Sequence, residues 1–498
     1  MVVNSVKKLS RNDSKPFIVE PIDVPKDELR WSTVTLSEVQ DKDNRLEASV
    51  FDIEGKHARE VLNKGKYPLT KICSNEGGLA TAFHRLRFKR IWVEKSDYPI
   101  FQPSQIVEIY PKPNSYISKL TNTDIDALRV KKGQILLTCS GTIGNCTIVG
   151  RTLDNKIFSH DLIRIECIDE IDTGFIYAFL RTKIGQTLVN TNSYGAVISH
   201  IEPEHLKDVP IPNPPSIIKR QIHDLIMESF NLRDESNELI DKATQLMVEE
   251  LNLPLIEELK QDVFDKNTPF ANYVVKLSQL DNRLDGSYHV PITQVILSHF
   301  NEYSAEVTTI GDERISENVI LPGRFKRVYV DEGQGRVFFG GKQLLELHPS
   351  SKKYLSLVHH GERIKKQLQV TENTILITRS GTIGKVTIVP KHWEGWIPNE
   401  HIIRIIPTNA EMAGYLYIFL LSDYGRELAK RYTYGAVVDE IDEIHVSQIG
   451  VPLLKNRELQ KEIGCLALAA IEKRHRAYKL EQRAIKIIND DIIHSLGI

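Results

Sequence analysis

The chain has 498 residues, of which 41% are hydrophobic, and a formal net charge of −2. At about 150 residues per domain, this length predicts two or three domains with cores of their own. No stretch approaches the roughly 18 uncharged apolar residues of a membrane helix, and residues 1–20 lack the apolar core of a signal peptide, so we predict a cytoplasmic protein without a membrane partner.

Residues 1–27 are predicted to be a polar N-terminal tail, and residues 28–212 have the pattern of a globular domain. Alternating apolar runs at 134–138 and 146–149 predict strands, with turns at Gly141 and Gly144 between them. A helical segment follows, so the predicted fold class is α+β.

Cationic and apolar side chains alternate from residue 84 to residue 90. The cations are Arg85, Arg87, Lys89 and Arg90. On a strand, the first three would lie on one side while Leu86 and Phe88 pack inward. Because Arg makes bidentate contacts with phosphate and guanine, the cluster predicts DNA contact; a solvated strand face is the alternative.

The segment from Ser140 to Gly144 joins the two predicted strands and offers hydroxyls and backbone N–H groups. It is predicted either to approach a phosphate closely or to form a tight hairpin turn. The candidate DNA-binding residues of this part of the chain are Ser140, Thr142, Asn145 and Tyr194.

Residues 213–262 are predicted to be the first of two spacer helices, with a continuous helix over about 216–252 because Pro254 breaks or kinks it. Residues 216–262 contain 11 acidic and 5 basic side chains. Side chains spaced alternately by three and four residues predict a coiled-coil seam. The predicted seam is Ile222, Leu225, Ser229, Leu232, Ser236, Leu239, Ala243 and Leu246.

After a linker at residues 263–272, the chain repeats itself. The run ILLTCSGTIGNCTIVG from Ile135 returns as ILITRSGTIGKVTIVP from Ile375, which is 240 residues later. An internal repeat fixes the architecture, so residues 273–455 are predicted to be a second domain homologous to the first.

The second domain supplies its own candidate DNA-binding residues at matching positions. They are Arg324, Lys326, Arg327, Arg379, Ser380, Thr382, Lys385 and Tyr434. Exposed positions that differ between the halves are where two different half-sites would be read. On this reasoning we single out Asn145 against Lys385, Cys139 against Arg379, and the divergent stretch 94–127 against 331–366.

Residues 456–498 are predicted to be the second spacer helix, with 8 basic and 6 acidic side chains. Its predicted seam is Ile463, Leu466, Ala470, Lys473, Ala477, Leu480, Ala484 and Ile487. The opposite net charges of the two helices favour their pairing, and the expected arrangement is an antiparallel coiled coil with pseudo-two-fold symmetry. That pairing would hold the two domains apart on a rod of roughly 55 Å. Two unrelated helices on separate cores are the alternative.

No catalytic, cofactor-binding or metal-binding residue is predicted. The sequence Ser159-His160-Asp161 contains the residue types of a hydrolytic triad, but neighbours on a strand point to opposite faces. The Asn-Pro-Pro sequence at Asn213 lacks the aromatic residue of the adenine methyltransferase signature. The five cysteines form no CxxC pair and are expected to be reduced, buried thiols.

The order of these motifs, twice over, resembles the specificity (S) subunits of type I restriction-modification systems. In each half, Phe-Lys-Arg precedes a hydrophobic triplet (Ile91-Trp92-Val93 and Val328-Tyr329-Val330), followed by the Ser-Gly-Thr-Ile-Gly loop. Val209-Pro210-Ile211-Pro212 then leads through Gln221 into a long helix, and the second copy weakens to Val451-Pro452-Leu453-Leu454 with Gln460.

The resemblance implies a non-catalytic subunit whose two target-recognition domains each read one half of a bipartite double-stranded DNA site. It also implies that the spacer helices dock two methyltransferase subunits, which carry the methyl donor and the chemistry, and that a motor-nuclease subunit can join. Two alternatives stay open: a self-contained DNA-modifying or DNA-cleaving enzyme, and a helical scaffold that binds only proteins.

Overall fold

The computed structural model describes residues 33–40, 44, 46, 48–74, 77–194, 199–263, 273–281, 283–349, 352–435 and 437–494. The predicted polar tail at 1–27 and all but the first residue of the predicted linker at 263–272 lie outside these residues. Among the helices it describes, none is long and apolar enough to cross a membrane.

The first half is a mixture of short strands and helices that ends in a long helix. Its helices are α1 Leu36–Gln40, α2 Ile53–Asn63, α3 Glu170–Leu180, α4 Lys183–Thr191, α5 Ser216–Glu250 and α6 Ile256–Val263. Its strands are β1 Leu69–Lys71, β2 Ala80–Phe83, β3 Trp92–Val93, β4 Ile100–Phe101, β5 Tyr116–Ile117, β6 Ile135–Thr138, β7 Cys146–Ile148, β8 Ile157–Phe158, β9 Leu162–Cys167 and β10 Pro210–Pro212.

The second half repeats this order. Its helices are α7 Ile292–Tyr303, α8 Leu357–Arg363, α9 Ala410–Leu421, α10 Asp423–Lys430, α11 Glu443–Ser447 and α12 Arg457–Ile487, which continues as a π-helix over Ile488–Ile493. Its strands are β11 Glu306–Thr309, β12 Ser316–Ile320, β13 Tyr329–Val330, β14 Gly335–Phe339, β15 Lys353–Ser356, β16 Ile375–Thr378, β17 Val386–Ile388, β18 Ile397–Pro398, β19 Ile402–Pro407 and β20 Gly450–Leu453.

Each half contains its own four-stranded antiparallel sheet, and the two sheets are equivalent. The strand order is β2-β9-β6-β7 in the first half and β12-β19-β16-β17 in the second. The register is also repeated, since Ile135 pairs with Ile165 and Ile375 pairs with Ile405. The duplication and the α+β fold class predicted from the sequence are therefore confirmed.

Each long helix begins on its own half and ends in the core of the other half. The end of α5, including Ile240 and Met247, packs in the core of the second half. Conversely, Ala484 of α12 and the following Ile488 and Ile492 pack in the core of the first half. Neither core is complete without both long helices.

Glycine allows a core helix to approach each long helix closely. A Cβ atom on Gly174 of α3 would lie 2.6 Å from the Cα atom of His223, and one on Gly414 of α9 would lie 2.2 Å from the carbonyl oxygen of Gly464. These two positions are 240 residues apart, so both halves use the same packing device.

The two long helices run antiparallel. Contacts join Ser229 to Ala477, Glu235 to Lys473 and Glu250 to Asn456, so residue numbers rise along one helix as they fall along the other. The predicted start of the first helix at residue 216 is confirmed. The predicted break at Pro254 within the 213–262 segment is also confirmed, because α5 ends at Glu250 and α6 begins at Ile256.

Every second residue of the predicted seam is buried, as expected. At most of the other seam positions the buried residue is the next one along the chain. The predicted seam residues that are only partly buried are Leu225, Leu239, Leu246, Leu466, Lys473, Leu480 and Ile487. Their buried neighbours include Ile226, Ile240, Met247, Ala467, Arg474, Glu481 and Ile488. At Arg474 and Glu481 the prediction failed because charged residues occupy the buried positions, which an apolar pattern does not indicate. The other buried neighbours are apolar, and they widen the buried stripe of each helix beyond the predicted seam.

Glu481 is the centre of a buried ion-pair network in the middle of the helix pair. Its side chain is 1% exposed, and its carboxylate lies 2.5 Å from the guanidinium of Arg233 and 3.3 Å from Nε of Arg181. The hydroxyl of Tyr177 donates to it at 2.9 Å. Burial alone would raise the pKa of Glu481, but Arg233 and Arg181 outweigh burial and lower it to about 2.

The halves also touch each other directly, which corrects the prediction that the rod holds them apart. The N–H of Ile109 in the first half donates to the carbonyl of Leu345 in the second half at 2.8 Å. A guanidinium N–H of Arg181 donates to the carbonyl of His348 at 2.8 Å. The domain boundaries proposed above stay predictions, because these elements do not show which segments fold independently.

We predict that Glu481→Gln destabilises the fold by about 3–5 kcal/mol, because it leaves two buried arginines without their counter-charge. The measurement is chemical denaturation at neutral pH. The matched control is Glu472→Gln at an exposed position of the same helix, which should change stability by less than about 0.5 kcal/mol.

The same variant gives a pH test. Because the pKa of Glu481 is lowered in the folded chain, its stabilisation is present above the ordinary carboxyl pKa of 4.5 and is lost as the pH falls towards 2. The stability difference between wild type and Glu481→Gln should therefore shrink over this range. A difference that is small at neutral pH, or independent of pH, would contradict the ion-pair network.

Candidate nucleic-acid interface

The basic segment of the first half is an extended connection between β2 and β3. It is not the predicted strand, and Leu86 does not pack inward because its side chain is 88% exposed. Phe88 does pack, with its ring centroid 5.1 Å from that of His160. Since none of the described strands pairs with this segment, the alternation of apolar and cationic residues does not decide which side chains are buried.

The arginine at the end of each basic segment is held by a carboxylate. The guanidinium of Arg90 donates to Asp161 at 2.8 Å and to the Ser159 hydroxyl at 2.7 Å. In the second half, Arg327 forms the same kind of ion pair with Glu400. Burial would raise the pKa of Asp161, but the hydrogen bond from Arg90 outweighs it and lowers the pKa.

These contacts explain the Ser-His-Asp sequence and correct the expectation that its side chains diverge. The Ser159 hydroxyl lies 3.2 Å from the Asp161 carboxylate, and His160 Nε2 lies 3.1 Å from it. The three residues converge because they lie in a bend between β8 and β9 rather than on a strand. Their shared partner is Arg90, so the arrangement binds a guanidinium.

Four of the predicted cations are exposed and form no ion pair with any described residue. They are Arg87, Lys89, Arg324 and Lys326. Arg87 also lines a surface cleft of 250 Å³ with Trp92, His160 and Asp161. By contrast Arg85 is half-buried, with its guanidinium 5.2 Å from the ring centroid of Phe83. The four free cations are therefore the ones available to an anionic ligand.

The Ser-Gly-Thr-Ile-Gly segment is the loop of a β-hairpin in both halves. Gly141 and Gly144 have φ angles of +71° and +91°, the left-handed region that favours glycine. Inside the turn, the Thr138 hydroxyl donates to the carbonyl of Thr142 at 2.6 Å. The second half repeats this with Thr378 and Thr382 at 2.6 Å. The hairpin interpretation holds, and both threonines at the tip remain exposed to a ligand.

The loop lies beside the predicted tyrosine in each half. In the first half, Ser140 and Tyr194 both pair with His200. In the second half, Ser380 and Tyr434 both pair with Glu440. Residues more than 50 positions apart in the sequence are thus brought together twice, as part of one surface.

The tyrosines have partners that the sequence analysis missed. The Tyr194 hydroxyl donates to Glu202 at 2.7 Å, which raises the pKa of Tyr194 to about 12, and its ring contacts His205. Tyr434 contacts His445, whose Nδ1 lies 2.8 Å from Asp442. Glu202 and His205 recur 240 residues later as Asp442 and His445. This repeated acidic-histidine spacing could have identified the partners of the two tyrosines from the sequence.

The positions singled out as differing between the halves are not simply exposed readers. Cys139 is 8% exposed, and burial raises the pKa of its thiol to about 12. Its counterpart Arg379 forms an ion pair with Glu440 at 2.8 Å. Asn145 is half-buried and its N–H donates to Thr138, whereas Lys385 lies 3.9 Å from Glu108 of the first half. The expectation that these differences are exposed is wrong for Cys139.

Within the part of the chain that the structure describes, no group of three or more His, Cys, Asp or Glu side chains is arranged to hold a metal ion. All five cysteines are free, and Cys465 is exposed, which corrects the expectation that every thiol is buried.

The fold and this surface define a duplicated α+β protein with two equivalent cationic faces joined by an antiparallel helix pair. A family model for the type I restriction modification DNA specificity domain matches residues 31–243 and 346–466, more than half of the chain. The protein belongs to this family. A comparison with curated proteins finds no match.

Among solved structures, the chain is similar to three of this kind. The type I restriction-modification S subunit from M. genitalium is 16% identical, with 87% of this chain and 96% of that chain covered and a TM-score of 0.27. The HsdS subunit from Thermoanaerobacter tengcongensis is 13% identical, with 85% and 99% covered and a TM-score of 0.25. A structure concerning assembly and conformational transition of the type I R-M system is 13% identical, with 87% and 98% covered and a TM-score of 0.26.

We predict that Arg327→Ala lowers folding stability by about 1–3 kcal/mol, because it leaves the Glu400 carboxylate, which is 8% exposed, without its partner. Arg324→Ala, three residues earlier, removes an exposed cation and should change stability by less than about 0.5 kcal/mol. Denaturant unfolding of both variants makes the comparison. Equal losses of folding stability in the two variants would contradict the conclusion that Arg327 is held by an ion pair while Arg324 is free.

Proposed function

We propose that this chain is the non-catalytic specificity subunit of a type I restriction-modification complex and that each half reads one half of a bipartite double-stranded DNA site. Membership of the family supports the first part of the proposal. The observation that carries the second part is that both halves present exposed cations, free of described acidic partners, at matching positions.

The helix pair supplies the geometry that such reading needs. Antiparallel helices relate the halves by an approximate two-fold rotation, so equivalent faces can meet one duplex as they do in dimeric DNA-binding proteins. Helix α5 has 35 residues, which corresponds to about 52 Å at 1.5 Å per residue. That length, which includes the ends packed inside the two cores, equals roughly one and a half turns of B-form DNA.

The chemistry is proposed to come from partners. Two methyltransferase subunits would dock on the spacer helices, and a motor-nuclease subunit would join them on DNA in the cytoplasm. An outward stripe on α12 offers a surface for docking: Arg476, Lys479, Arg483 and Lys486 are exposed and lie three or four residues apart on one helix face. Two of the equivalent positions on α5 are Glu235 and Glu238, whose carboxylates already form ion pairs with Lys473 and Arg151.

We predict that Arg87→Ala/Lys89→Ala weakens binding to duplex DNA and lowers the slope of log K against log salt by up to about 1.8, which is about 0.9 for each lost phosphate contact. The matched control Arg87→Lys/Lys89→Arg keeps both charges and should retain the salt slope. Fluorescence anisotropy over a salt series provides both values, and Arg324→Ala/Lys326→Ala tests the second half in the same way.

The same titrations separate the alternatives. A protein-binding scaffold would show no salt-dependent affinity for DNA in the wild-type chain. A self-contained enzyme would bind a methyl donor or a divalent cation and would modify or cleave DNA without partners. Either result would contradict the proposed function.

A further inference from the structure

Two seven-residue segments in the middle of the molecule form a repeat inside the stretch that the sequence comparison treated as divergent. Gln105 to Pro111 reads QIVEIYP, and Gln343 to Pro349 reads QLLELHP, 238 residues later. Gln, Glu and Pro are identical in the two segments, and the second, third and fifth positions are apolar in both. We call these two segments the brace.

The two brace segments pair with each other across the halves. Glu108 and Glu346, which are equivalent positions, face each other in an antiparallel bridge. Next to this bridge, the N–H of Ile109 donates to the carbonyl of Leu345 at 2.8 Å. An antiparallel contact between equivalent residues is what a pseudo-two-fold axis through this point produces.

Each brace segment is also anchored to a long helix at an equivalent place. The Tyr110 hydroxyl donates to Asp241 of α5, and the side-chain amide of Gln482 of α12 lies 3.1 Å from His348 Nδ1. Tyr110 and His348 are the sixth residues of their segments. Asp241 and Gln482 are 241 residues apart, the spacing that relates the seams of the two long helices.

Apolar contacts complete the anchor. Leu347 packs with Leu232 of α5 and Ala477 of α12, and Ile109 lies against the same cluster. The side-chain amide of Asn237 donates to the carbonyl of Ile109 at 2.9 Å. The two brace segments therefore contact each other and are also packed against the middle of the helix pair.

One ion pair connects the brace of the first half to the hairpin of the second. The carboxylate of Glu108 lies 3.9 Å from Nζ of Lys385, which follows the Ser380 to Gly384 loop. Burial raises the pKa of Glu108, and the neighbouring Lys385 opposes that rise. The position of this candidate DNA-binding loop is thus tied to a residue of the opposite half.

We propose that the brace fixes the separation and orientation of the two cationic faces, and that Glu108 and Lys385 are positioning residues for the gap between the two half-sites. The inference rests on the proposed function and deepens it. A helix pair alone can bend. A hydrogen bond of 2.8 Å, by contrast, is lost once the distance between its donor and acceptor grows by about 1 Å. The gap would then depend on the brace as well as on helix length.

The test combines distance measurements with DNA recognition. Spin labels are attached at Leu120→Cys in the first half and Val358→Cys in the second, both exposed positions, in a Cys465→Ser background. Glu108→Lys and Lys385→Glu should each at least double the width of the interlabel distance distribution. The double variant Glu108→Lys/Lys385→Glu, which restores opposite charges, should recover the narrow distribution of the wild type.

The second arm uses DNA sites whose gap is lengthened or shortened by one base pair, with methylation by the assembled complex as the measurement. The wild type and the double variant should discriminate against the altered gaps at least tenfold, and each single variant should lose most of this discrimination. The distance arm needs no DNA, so failure of the wild type to recognise any bipartite site contradicts the proposed function without affecting the test of the brace.

Narrow, unchanged distributions in both single variants would overturn the brace proposal. If a charge reversal prevents folding, Tyr110→Phe combined with Gln482→Ala removes two of the side-chain anchors, one from each brace segment, at partly exposed positions. That variant should also broaden the distribution, and an unchanged width would equally overturn the proposal. A label pair within one half, Leu86→Cys with Leu120→Cys, controls for local unfolding and should stay unchanged in every variant.

Discussion

The antiparallel packing of α5 against α12 is the constraint on which the rest of the molecule depends. Each long helix starts on one half and ends inside the core of the other, so the helices are part of both cores. The charged network around Glu481 lies at the middle of this packing, where two arginines neutralise one fully buried carboxylate. Buried ion pairs contribute little net stability but penalise misalignment, which makes them suitable for fixing register.

The cations of the two candidate DNA-binding surfaces fall into two groups, those that form ion pairs within the protein and those that stay free to bind a ligand. Arg90, Arg327 and Arg379 have carboxylate partners within hydrogen-bonding distance, and they hold loops in place. Arg87 and Arg324, in the same segments, extend into solvent. The duplication makes this division informative, because it recurs in two halves whose sequences have otherwise diverged. The brace gives these two surfaces one relative position, which a ligand with regular spacing, such as duplex DNA, can use.

The larger features of the fold were predictable from sequence because they depend on patterns that repeat. The duplicated hairpins β6-β7 and β16-β17, the start of α5 at Ser216 and the pairing of the long helices all follow from local signals or from the repeat itself. At Arg474 and Glu481 the seam was not predictable, because these charged side chains are buried through partners far away in the sequence. The basic segment has the alternation of a strand, but among the described residues it has no strand to pair with.

The candidate site was only partly predictable for a related reason. Sequence identifies cations but not the carboxylates that neutralise them, so Arg87 and Arg90 looked equivalent although only Arg90 meets Asp161. Cys139 looked like a reader because it differs from Arg379, but its position in the sheet buries it. The brace was missed because its two copies are short and are offset by 238 residues rather than 240, which separates them in a comparison at fixed offset.

The central claim is that two linked readers recognise one DNA site at a fixed spacing. The most direct measurement is sequencing of methylated positions in DNA from cells that express this chain with methyltransferase subunits. The account predicts one motif made of two defined half-sites separated by a constant number of unspecified base pairs. A single contiguous motif, or two half-sites methylated independently of their spacing, would contradict it.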